Sequence, residues 1–180
     1  GCGKTDIPIA LAYLQSYNDV YGTTNDPFDH SKGSVGSSGG SAAALAAGLT
    51  GLEIGSDIGG SIRNPAHFCG VFGHKPTHSL LWMKGHAALP GVHAMPDISV
   101  IGPLARSAQD LRTSLDLLAG PDPIVARGYR LDMPDLGARQ QSDPPIGIWP
   151  SAKHFPVAKQ VEARVARVAS RLPDPGPHTD

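Results

Sequence analysis

The feature that most constrains this chain occurs twice. Residues 36–41 read Gly-Ser-Ser-Gly-Gly-Ser, residues 55–63 read Gly-Ser-Asp-Ile-Gly-Gly-Ser-Ile-Arg, and between them runs AAALAAG followed by a short apolar stretch. Glycines at this density let the backbone take positive φ and expose successive N–H groups, so each cluster reads as a turn able to gather donors for an anion or oxyanion. Ala and Leu favour a helix, and Gly48 supplies a stop. A helix opening at Ser38-Gly39-Gly40-Ser41 is therefore predicted, buried because its side chains are so small. Leu49 to Gly55 then predicts a short strand in the centre of a sheet, followed by the turn SDIGGS.

The flanks extend this alternation. Residues 8–17, PIALAYLQSY, place Pro8 in a first helical turn after Asp6, and Ile9, Leu11, Ala12 and Leu14 make an apolar face, which predicts a helix. The following run, dense in Asn, Asp, Gly, Pro and Ser, predicts a long loop. Residues 107–118 carry Ala108, Leu111, Leu115 and Leu118 on one face, an amphipathic helix ending near Gly120. PIGIWP, residues 145–150, reads as a strand, and Val157, Val161, Val165 and Val168 put a helix over Val157 to Leu172. That helix also carries Arg164, Arg167 and Arg171, a stripe best read as a solvated face. The expectation is an α/β fold: a mixed sheet covered by helices, present only in part. Residues 1–123 form its core segment, 124–145 a surface excursion, and 146–180 a strand–helix continuation.

Composition narrows the function. The chain has 180 residues with 15 Lys plus Arg against 16 Asp plus Glu. The first 62 residues hold 2 of those basic side chains and 6 of the acidic ones, so no basic stripe points to nucleic acid. No uncharged apolar stretch approaches the roughly 20 residues needed to span a bilayer. Only 17% of residues are charged, against about 25% in typical soluble domains. The first Met is Met83, and the chain closes in a Pro/Gly-rich tail, so a piece of a longer protein, truncated at both ends, is expected. Two cysteines, Cys2 and Cys69, form no disulfide framework, which is compatible with a cytoplasmic setting.

A serine beside a nest of N–H groups is a candidate nucleophile. Its hydroxyl is inert at neutral pH unless a base within hydrogen-bond reach takes the proton, and no base stands nearby in the sequence. On the residues alone, a nucleophilic loop, a phosphate-binding loop and a merely flexible loop all stay open. Gly1-Cys2-Gly3-Lys4-Thr5 looks like the end of a P-loop, but Pro8 falls where the helix of such a loop should be under way. His67, Cys69, His74 and His78 do not follow a recognised zinc spacing, so no metal site is assigned. Cys69, among Phe68, Gly70, Val71 and Phe72, reads as a small buried thiol. His86 and His93 line a channel or cap a loop.

The two clusters, with GKTDIP at 3–8, YGTTNDPFD at 21–29, GHKPT at 73–77 and VIGPLARSAQDLRTSLDLLAG at 100–120, resemble the amidase signature family of serine hydrolases. Several ordered blocks are more specific than one motif. The resemblance implies that Ser61 is the nucleophile and that Ser37, 24 positions earlier and held by a cis peptide bond, relays its proton to a lysine. It also implies that the N–H groups of Ile58, Gly59, Gly60 and Ser61 form the oxyanion hole. Ser38, Asp57 and Arg63 would brace the two loops. The implied activity is cleavage of a small carboxylic amide to acid and amine or ammonia through an acyl-enzyme. No metal or organic cofactor, no nucleic acid and no membrane are implied, and a homodimer is compatible with the reading.

The departures matter as much. The family's catalytic lysine belongs to a block upstream of GKT, so it is expected to lie outside this chain, and neither Lys4 nor Lys75 is assigned its role. The isolated piece is therefore expected to be inactive and prone to aggregate. Val35 stands where the family usually has glycine, and His74 where it usually has an apolar residue. Valine resists positive φ, so a local shift of the turn is expected at 35 if the family's glycine uses that region. Two alternatives stand beside the hydrolase: the amidotransferase subunit of the same family, which releases ammonia for transamidation of a charged transfer RNA, and a noncatalytic fragment or degenerate relative.

Overall fold

Val100–Ala105 is apolar almost throughout, and it lies in the middle of the sheet because both of its edges find partners. The computed structural model describes residues 3–86, 97–133, 147–149, 151, 152 and 154–172. Within residues 1–132, the strands are β1 (Tyr17–Asn18), β2 (Gly22–Thr23), β3 (Asn25–Asp26), β4 (Asp29–Gly33), β5 (Leu52–Asp57), β6 (Phe72–Gly73) and β7 (Val100–Ala105). The helices are α1 (Gly39–Ala46), α2 (Arg63–Phe68) and α3 (Ala108–Leu118). The three-stranded sheet has the order β5-β7-β6, both pairs antiparallel, with Leu52 opposite Ala105 and Asp57 opposite Val100. A parallel bridge joins Leu81 and Gly120. The α/β architecture is as expected, but the strand read as central from residues 49–55 is an edge strand; β7 holds the centre. Pro103 is tolerated there because β6 is only two residues long, and the Pro103 carbonyl accepts from His74 N–H at 3.0 Å.

The core lies between α1, α2 and β7, where Ala42, Leu45, Ile62, Ala66, Cys69 and Leu104 are buried together. Small residues on α1 are what allow the approach. Gly39, Gly40, Ser41, Ala42 and Leu45 are all buried, as predicted for so small a helix. Arg106 fastens the far end of α1, its guanidinium donating to the carbonyls of Leu45 and Thr50. Helix α3 matches its predicted span, with Ser107 as N-cap accepting from Asp110 N–H at 3.0 Å. Its apolar stripe is only partly covered: Leu111 and Leu115 are half-buried, while Ala108 and Leu118 are exposed. Leu52, Ile54 and Phe72 of the sheet are also exposed.

Two expectations fail in the N-terminal third. Residues 8–17 form no α-helix; a short 3-10 turn covers Ile9–Leu11, with Ala10 and Leu11 at φ 54° and 58°. The apolar spacing there does not mark a core face, since Ile9 and Leu14 are exposed. The segment is held open by the chain that enters α1, where Gly36 and Gly40 lie against the main chain of Tyr13 and Asp6. The long loop after it is two small antiparallel pairs, β1–β2 and β3–β4. Turn-forming residues mark the tight connections, and each pair joins residues only a few positions apart, as in Asn18 with Gly22 and Asp26 with Asp29.

Residues 133–180 form a second unit. Its helix α4 (Lys159–Ala169) falls inside the predicted span, with Arg164 and Arg167 exposed along it and Arg171 exposed just beyond its end. Residues 147–149 of the predicted strand are not extended into a sheet, and 145, 146 and 150 lie outside the described residues. So do His93 and residues 134–145 of the surface excursion. Among the described residues, no helix is long and apolar enough to cross a membrane.

Candidate active site

The two serine clusters meet where α1 begins and β5 runs into α2. Ser37 follows a cis Gly36–Ser37 peptide bond, as the resemblance implies, and is buried. The next residue makes the junction: Ser38 N–H donates to the Ser61 carbonyl at 3.1 Å. The Ser38 hydroxyl in turn grips β5, accepting from Ser56 N–H at 3.3 Å and donating to the Ser56 carbonyl at 3.4 Å. This approach needs glycine at 55, where a Cβ would strike the Ser38 hydroxyl and come 2.8 Å from the Ser38 Cβ.

Asp57, at the end of β5, organises the second loop. Its fully buried carboxylate accepts through Oδ1 from Gly60 N–H at 2.8 Å and Arg63 Nη2 at 3.0 Å. Through Oδ2 it accepts from Ile62 N–H at 3.1 Å, Arg63 N–H at 3.3 Å and Arg63 Nε at 3.0 Å. Burial pushes this carboxyl up, but the Arg63 guanidinium and the N–H groups of Gly60, Ile62 and Arg63 outweigh it and hold Asp57 at about 2. Asp57 is thus a charged hub around which the chain from 60 to 63 is wound.

Of the four N–H groups expected in an oxyanion hole, Gly60's is already donated to Asp57. Those of Ile58, Gly59 and Ser61 donate to no acceptor among the described residues. Gly59 faces open space, with nothing within 4 Å of where a Cβ would stand. Ser61 is half-buried. The hydroxyls of Ser37 and Ser61 share no hydrogen bond, and among the described residues neither has a lysine or histidine hydrogen-bonded to it. The loops are joined through main chain and Ser38.

Val35 does not avoid the left-handed region. Val35 takes φ 64° itself, so packing imposes on valine a conformation that suits glycine. The blocks at 3–8 and 21–29 had no role assigned from sequence, and the structure supplies one. The Asp6 carboxylate accepts from Asn18 Nδ2 and, at 2.5 Å, from Thr24 Oγ1, while Thr5 Oγ1 pairs with Ser41 Oγ at 2.8 Å. These contacts bind the N-terminal segment over α1; the quoted blocks were the signal for them, without the geometry. Cys69 is fully buried as expected, and burial, then the nearby Asp26, pushes its thiol up to about 11. Among the described residues, no three His, Cys, Asp or Glu side chains gather in a way that could hold a metal ion.

A chain with this doubled serine–glycine turn on an α/β core has counterparts. The Amidase family matches residues 1–179, and the chain belongs to that family. It is 44% identical over 132 residues to a Glutamyl-tRNA(Gln) amidotransferase subunit from Thermus thermophilus, covering 73% of this chain and 26% of that protein. A solved bacterial aryl acylamidase of the amidase signature family superimposes with a TM-score of 0.63 at 30% identity, covering 73% of this chain and 26% of that one. A 6-aminohexanoate cyclic dimer hydrolase, solved with its substrate, superimposes with a TM-score of 0.73 at 26% identity, covering 93% and 36%. The chain therefore spans about a quarter of the Thermus relative's length.

Proposed function

We propose that the whole protein carrying this segment cleaves a small carboxylic amide with Ser61 as nucleophile. The observation that supports it is the 58–61 turn, where Asp57 anchors the chain at Gly60 and leaves the N–H groups of Ile58, Gly59 and Ser61 without protein acceptors among the described residues. Ser61 Oγ attacks the carbonyl carbon, and negative charge collects on the carbonyl oxygen facing those donors. The C–N bond then breaks, and the leaving nitrogen takes a proton passed through Ser37. Water hydrolyses the resulting ester and restores the Ser61 hydroxyl. Ser37 exchanges protons with a lysine, which the family resemblance puts in a block before Gly1.

The test is Ser61→Ala in the full-length protein. Losing the nucleophile of a coupled relay removes several orders of magnitude in rate; amide turnover that survives the change intact would end the proposal. A second reading has comparable support, because the Thermus relative at 44% identity belongs to an amidotransferase. In that role the same chemistry would release ammonia from an amide donor for a partner protein rather than as free product. Copurification with stable partner subunits, with ammonia release that rises in their presence, would favour this second reading; full activity of the lone polypeptide would favour the first.

A further inference from the structure

Ser37 is reached through Val35, and Val35 is held from outside its own loop. The Ser16 hydroxyl, fully buried, donates to the Val35 carbonyl at 3.0 Å, across 19 positions of sequence. Ser16 is itself fixed, its carbonyl accepting from Thr24 N–H at 2.9 Å. On the other side, Ser34 N–H and the Ser34 hydroxyl both donate to the Thr24 carbonyl at 3.0 Å. Val35 thus sits between two clamped residues while its φ is 64°. A β-branched residue is disfavoured in the left-handed region, where its Cβ crowds the following carbonyl oxygen, so something must hold it there. The packing leaves no slack, because a Cβ on Gly39 would collide with the Ser16 hydroxyl and come 2.5 Å from that of Ser34.

We infer that Ser16 is a positioning residue for Ser37. Its hydrogen bond holds the Val35 carbonyl, and so fixes the turn that leads into Ser37 and, through Ser38 N–H, onto the Ser61 carbonyl. This rests on the proposed role of Ser61 and adds a residue that acts on the relay without touching the reacting atoms. Removing the hydroxyl leaves the carbonyl of a strained residue without its donor and lets the turn relax. A displacement of about 1 Å at a relay group costs on the order of a hundredfold in rate. The effect should vanish where position 35 no longer resists its φ, since glycine adopts that region readily.

The experiment labels the full-length protein with an alkyl fluorophosphonate. Ser61 Oγ forms a bond to phosphorus, fluoride leaves, and the serine proton passes to the relay. Both the rate constant and the final stoichiometry are read for wild type, Ser16→Ala, Val35→Gly and the double variant. Expected is a rate constant lowered tenfold to a hundredfold in Ser16→Ala at unchanged stoichiometry, and restored to within about threefold by adding Val35→Gly. If Ser16→Ala lowers only the stoichiometry, Ser16 merely supports folding and the inference falls. It falls equally if the rate loss is as large with glycine at 35 as with valine. Wild type that shows no labelling lost on Ser61→Ala would overturn the nucleophile reading, and the inference with it; labelling through Ser61 that is indifferent to Ser16 overturns the inference alone.

Discussion

Replacing Asp57 by Asn tests how the 58–63 turn is held. The carboxylate has two donors on Oδ1, from Gly60 and Arg63, and three on Oδ2, from Ile62 and twice from Arg63. An asparagine of the same shape keeps one acceptor oxygen. Turned toward the three-donor side, it presents its NH2 to Gly60 N–H and Arg63 Nη2, donor against donor. Folding holds the acid at about 2 against an ordinary value of 3.8, which corresponds to about 2 kcal/mol of stability supplied by the charged form. Stranding Gly60 N–H adds about 1–3 kcal/mol; loss of the Arg63 pairing adds less, since that guanidinium is half exposed. A total near 3–5 kcal/mol is expected at pH 7, measured by urea unfolding of the full-length protein. The sign of the pH dependence follows from the lowered folded-state value. Stability from the charge is complete above about pH 4 and is lost as pH falls through about 2, so the gap between wild type and variant narrows below pH 4. A variant within about 1 kcal/mol of wild type at pH 7, or a gap that does not depend on pH, would refute the idea that this charge organises the loop.

Three further outcomes follow from the packing. Gly40→Ala should destabilise by about 3 kcal/mol or more, because its Cβ would collide with the main chain of Asp6, coming 2.6 Å from the amide nitrogen; thermal unfolding checks it. Gly59→Ala has open space and should leave the stability within about 1 kcal/mol of wild type, while amide turnover falls because the methyl group intrudes on the donors of the turn. Cys69, buried with its thiol pushed up to about 11, should resist an aromatic disulfide reagent at pH 8 in native protein and react once urea unfolds it; rapid native reaction would contradict its place in the core.

What was legible in the sequence, and what was not, divides along the range of the forces involved. The α1 helix, its buried face and the turns at 36–41 and 55–63 were readable because glycine, serine and alanine state their preferences over a few neighbouring residues. Helix α3 and its Ser107 cap were readable for the same reason. The rank of the strands was not: residues 49–55 and 100–105 are both short apolar runs, and only the pairing of β7 on two sides makes it central. Residues 8–17 carry a helical period, but the segment packs by its main chain, at Tyr13 and Leu14, against Gly36, a long-range approach that apolar spacing does not encode.

Position 35 shows the same division inside the site. Local sterics say that valine avoids φ near 64°, and by themselves they predict a displaced turn. The observed conformation is sustained by Ser16 and by Thr24 acting through Ser34, residues 19 and 11 positions earlier, whose own sequence neighbourhoods read as the end of a helix and as loop. A serine's hydroxyl is chemically ambiguous in sequence, since capping, turn formation and catalysis all use it. Burial and partner resolve the ambiguity. Ser38 binds β5, Ser41 bridges Thr5 to Glu53 with its hydroxyl 3.1 Å from Oε2, and Ser16 and Ser34 clamp the turn. The hydroxyls of Ser37, Ser56 and Ser61 carry no hydrogen bond among the described residues, and under the proposed reaction those of Ser37 and Ser61 are the ones left for proton transfer and attack.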